Sequence, residues 1–109
     1  MFAEVKAMLP ISGDAYDQEI ITQIKAAALD LTTSAEIVLP GVISISKEGQ
    51  TVTDNSTLTD ELVITAIATW CNMRIGNPPN YDNLLKAYES LKGQMRISKT
   101  YTNYGGASV

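Results

Sequence analysis

Few residues in this 109-residue chain are able to do chemistry, and their spacing argues against an active site. Histidine is absent, which removes Ser-His-Asp and Cys-His nucleophile pairs and every histidine-ligated metal site. The single cysteine, Cys71, falls on the apolar stripe of a helix-periodic segment and reads as a buried, inert thiol with no partner for an intrachain disulfide. Asp60 and Glu61 are adjacent acids, but adjacent helix positions do not face each other, so a helix start is their better use. Asp54-Asn55-Ser56-Thr57-Leu58-Thr59-Asp60 faintly suggests a calcium loop. It fails at Leu58, where an oxygen ligand is needed, and at Thr59, where glycine should make the turn. Asn55-Ser56-Thr57 matches a glycosylation sequon, which has no use in a chain lacking a secretory signal. No glycine-rich phosphate loop is present, and Arg74 and Arg96 are isolated bases with surface or ion-pair uses. The expectation is a protein without catalytic residues, cofactor or metal.

What remains is surface. Lys92 and Lys99 with Tyr101 and Tyr104 form a small basic-aromatic cluster, either a solvated end or a docking point for a partner. Val42, Ile43, Ile45 and Val52 lie in a β-branched stretch that is unlike the rest of the chain. These eight residues are the candidates for a subunit or partner interface.

The elements that must position them follow from periodicity. A short N-terminal helix with Phe2, Val5 and Leu9 on one side ends at Pro10, which lacks the amide proton a helix interior needs. Ser12-Gly13-Asp14 reads as a turn with Asp14 as N-cap, and Asp17 and Glu19 favour the positive end of the helix dipole. Ile20, Ile21, Ile24, Ala27, Ala28, Leu31 and Ala35 then form one helical face, its alanines inviting close approach by another helix. Pro40-Gly41 closes that segment. Residues 41–56 read as a small hairpin or an extended loop, with Lys47-Glu48-Gly49-Gln50 as the turn. An isolated hairpin is marginal, so a partner surface is the expected support. Thr57 and Asp60 have capping-box spacing before a strongly apolar helix through Leu62, Val63, Ala66, Ile67, Trp70, Cys71 and Met73. Gly76-Asn77-Pro78-Pro79-Asn80 stops it and permits a reversal. Asn80 caps a last helix with Leu84, Leu85, Tyr88, Leu91 and Met95 inward and a loose end at Gly93.

The fold class is therefore mainly α: a small bundle of three to four helices, a hairpin or loop insertion, and a flexible C-terminal tail. Residues 1–97 form the domain and residues 98–109 the tail. With 45% hydrophobic and 18% charged residues, most of the chain is expected to be ordered. The net charge of −4 is uneven: residues 1–62 carry ten acids and three lysines, residues 63–109 two acids and five bases. The halves either neutralise each other within one subunit or lie on opposite flanks, where identical copies attract. Overall acidity argues against binding through nucleic-acid phosphates. The N-terminus lacks a secretory pattern, and Leu62 to Cys71 is too short to span a bilayer, so a reducing cytosol is expected.

The order and spacing of four pieces resemble the small head–tail connector (adaptor) family of long-tailed bacteriophages and prophages, often labelled DNA-packaging proteins. The pieces are Leu9-Pro10-Ile11-Ser12-Gly13-Asp14 before Tyr16-Asp17; Ile20 to Ala28; Ala66 to Gly76 with Trp70-Cys71-Asn72-Met73-Arg74; and Tyr81 with Leu84-Leu85 leading to Leu91 and Met95-Arg96. The chain departs from the family pattern at Trp70, where tyrosine or histidine is more usual, and in its long 41–56 connection. The resemblance implies a structural virion protein of the neck, made in the host cytoplasm. Its copies would form a ring, typically of twelve, below the portal, extending the DNA channel and offering a surface to tail-completion or stopper proteins. DNA would pass without sequence-specific binding, repelled by acidic residues facing the channel, and no membrane is involved. Loop 41–56 would reach a neighbour or the lumen, and the tail would order on the portal or the next ring component. The rival readings are a small helical DNA-binding regulator and another neck or tail-completion component; a hydrolase working with carboxylates alone is weaker than either.

Overall fold

Proline and glycine divide the apolar periodicity into four helices and one hairpin in the computed structural model, which describes residues 1–75, 78–98 and 100–102. The order is α1 (Phe2–Ala7), α2 (Asp17–Thr33), β1 (Ile45–Glu48), β2 (Thr51–Asp54), α3 (Glu61–Arg74) and α4 (Tyr81–Arg96). The mainly α fold with a small hairpin insertion is the observed architecture.

Helix α3 is the centre, packed against α4, α2 and α1. Its Val63, Ile64, Ala66, Ile67, Ala68, Cys71 and Met73 are buried, the alanines letting neighbouring helices approach. Ile20, Ile21, Ile24, Ala27 and Leu31 of α2 face it, as their spacing predicts. Fully burying each of these larger aliphatic side chains contributes roughly 1.5–3 kcal/mol before entropy is charged. Lys6 of α1 donates to Asp17 Oδ1 at 2.6 Å, tying the first helix to the start of the second.

Several helix ends differ from expectation: α2 stops at Thr33, well before Pro40-Gly41, and Asn80 precedes α4 without a side-chain cap bond. Asp14 is not the cap of α2: Tyr16 occupies that position, and the Asp14 carbonyl instead accepts from the Asp17 amide at 3.2 Å. Asp17, the first residue of the helix, carries the Lys6 ion pair. At α3 the cap is Asp60 itself, accepting from the Val63 amide at 3.1 Å, which takes over the job assigned to the Thr57–Asp60 pair. Three residues beyond the end of α2, Glu36 holds φ 55°, a left-handed conformation where glycine is usual, and the Ile37 amide donates back to the Leu31 carbonyl at 3.0 Å.

The hairpin is antiparallel, with Glu48 opposite Thr51 and Gly49 at φ 59° leading the two-residue turn. Its arms continue beyond the strands. Asn55 donates to the Ser44 carbonyl at 2.7 Å and Thr57 to the Val42 carbonyl at 2.8 Å. Ser44 and Val42 in turn donate to the hydroxyls of Ser56 and Thr57, both at 2.9 Å. Ile45 is buried against the helical body, so this subunit itself supports the base of the hairpin. Gly41 is required there: a Cβ would lie 2.6 Å from Leu58 Cα.

Candidate functional site

The strongest polar constellation joins α2, α3 and α4. Asp30 on α2 accepts the Tyr88 hydroxyl at 2.6 Å and the Lys92 ammonium at 3.2 Å on the same oxygen, Oδ2. Lys92 also lies 3.4 Å from Ser34 Oγ and 3.6 Å from Glu89 Oε1. Burial pushes the Tyr88 hydroxyl far above its ordinary value, and its bond to the Asp30 carboxylate adds to that. Beside it, Trp70 tilts onto the Tyr88 ring at 5.4 Å and donates Nε1–H to Gln23 Oε1 at 3.0 Å. The Arg74 guanidinium sits 4.3 Å from the centre of the indole ring. Trp70 is thus half-buried and bridges three helices through its edge and face, where the sequence suggested a plain core position. A phenol held protonated, a carboxylate shared by two donors and an ion-paired lysine make a polar seam between α2 and α4.

Asp54 and Asp60, singled out in the sequence, are similarly engaged. Asp54 Oδ2 accepts from the Phe2 amide at 2.7 Å and Oδ1 from the Ser56 amide at 3.0 Å. Burial alone would raise the Asp54 carboxyl, but hydrogen bonds from Ser56, Phe2 and the N-terminal ammonium outweigh it and hold the group well below the usual carboxylate range. Asp60 caps α3 and also accepts the Tyr101 hydroxyl, at 2.9 and 2.8 Å to its two oxygens. Burial raises Tyr101, and Asp60 reinforces the shift. The Cys71 thiol is pushed up to about 12 by burial. Among the described residues no group of three or more Cys, Asp or Glu converges as a metal site, and no helix is long and apolar enough to cross a membrane.

Of the eight interface candidates, the six among the described residues differ in exposure. Val42 is 62% exposed, Ile43 and Val52 are half-buried, and Ile45 is part of the core. Lys92 is buried on Asp30, so it belongs to the interior of the bundle and not to a solvated end. Tyr101 is buried as well. Its carbonyl accepts from the Val38 amide at 2.7 Å, so the tail is docked on the body as far as Tyr101. Lys99 and Tyr104 lie outside the described residues, as does the tail beyond Thr102. The basic-aromatic cluster was legible only as residue types; that two of its members turn inward onto Asp30 and Asp60 was not.

Two open grooves among the described residues contain no sequence motif. One, of about 670 Å³, runs between the C-terminal ends of α2 and α4, lined by Ala35, Glu36, Ile37, Val38, Gly93 and Ile97 among others. The second, of about 550 Å³, lies at the start of α4, between the Met8–Ile11 segment, Asn72 of α3 and Asn80. The exposed aliphatics Val38 and Ile97 mark the first groove and Met8 the second.

No curated protein and no solved structure gives a significant match to the chain. A family model described as phage connector protein matches residues 1–102, which take in every described residue. The match covers most of the chain, and the chain belongs to the phage connector protein family, with a connector-type structural role suited to the neck of the virion.

Proposed function

We propose that the protein is a structural, non-enzymatic subunit of the head–tail connector ring, seated below the portal, extending the DNA channel and offering a docking surface to tail-completion or stopper proteins. The observation that carries this reading is the family match across residues 1–102. The physical features agree with it. The subunit is elongated, 47 × 32 × 19 Å, as a wedge in a ring can be. Its net charge of −4 suits passage of DNA without adhesion. The hairpin is anchored at its base through Ile45, while Lys47, Glu48, Gln50 and Thr51 are left at a tip that reaches a neighbour or the channel. Portal contact is assigned to the chain beyond Thr102, since Tyr101 is already held by Asp60.

Adding the purified protein to portal-bearing heads that lack it tests the proposal. The full chain is expected to sediment with the heads and to restore tail attachment. Heads that gain no protein, or that accept tails without it, would overturn the reading.

A further inference from the structure

We draw no further inference here: the strongest candidate, the open groove between α1 and the start of α3 lined by Glu4, Met8, Glu61 and Ile64 among others, carries nothing because no feature of the structure shows what covers it.

Discussion

Tyr88 donates its hydroxyl to Asp30 Oδ2 across the α2–α4 interface at 2.6 Å. The Lys92 ammonium shares that oxygen at 3.2 Å, so one carboxylate serves a buried phenol and a buried lysine together. Removing it strands both. Asp30→Ala is expected to destabilise the subunit by about 2–3 kcal/mol in urea unfolding, and Tyr88→Phe by about 1 kcal/mol. Lys92→Met should cost less than Asp30→Ala, because the apolar stem is kept and Asp30 retains the Tyr88 bond. Lys92→Glu sets a carboxylate beside Asp30 and Glu89, so a loss of assembly in that variant would report on the fold and not on a ring contact.

The hairpin base is predicted to be acid-sensitive through Asp54. Its carboxyl is depressed in the folded chain, so it contributes stability above the ordinary carboxylate value of about 3.9, and that stability is lost as pH falls below it. Wild type should exceed Asp54→Asn by about 1 kcal/mol at pH 7, a modest figure because the carboxylate is in contact with water. The difference should shrink steadily below pH 4. A gap that stays constant from pH 7 to pH 3 would show that the charge of Asp54 does not matter.

Asp60 links the helical body to the start of the tail. Tyr101→Phe removes both hydroxyl contacts to Asp60 and should cost about 1 kcal/mol; Asp60→Ala removes the α3 cap as well and should cost about 2 kcal/mol. Hydrogen exchange at the Val38 amide, which donates to the Tyr101 carbonyl, should quicken in both variants. Unchanged protection at Val38 would mean that the tail is held by something other than Tyr101.

Two glycines are expected to respond to alanine with opposite signs. Gly41→Ala drives a Cβ into the Leu58 backbone and should destabilise by about 1–3 kcal/mol. Gly93→Ala adds a methyl to open space in a helix and should stabilise by about 0.5–1 kcal/mol. Urea midpoints of the two variants, compared at equal slope, decide the matter.

Much of this architecture is legible in the sequence because it depends on apolar spacing. Ile20, Ile21, Ile24, Ala27 and Leu31 read as one face of a helix, and they are one face of α2. Pro10 and Gly49 mark a stop and a turn for local steric reasons that need no tertiary context. The misses share a cause. Lys92 continues the inward spacing of Tyr88 and Met95, but a charged residue is scored as solvated until its partner is known, and Asp30 lies 62 residues away. The apolar spacing points Leu85 inward, yet it is 38% exposed, because α4 turns Tyr88, Lys92 and Met95 to the core instead. Hairpin support from Ile45 and the docking of Tyr101 are long-range contacts of the same kind. The grooves were invisible for a different reason: a surface made by Gly93 and a left-handed Glu36 is defined by shape, not by residue type.

Electron microscopy of portal-bearing heads incubated with the purified protein decides whether the subunits form a ring at the portal vertex. A closed collar with a central hole beneath the portal, absent from heads incubated without the protein, is the predicted result. Heads whose portal vertex gains no density at saturating protein would contradict the account.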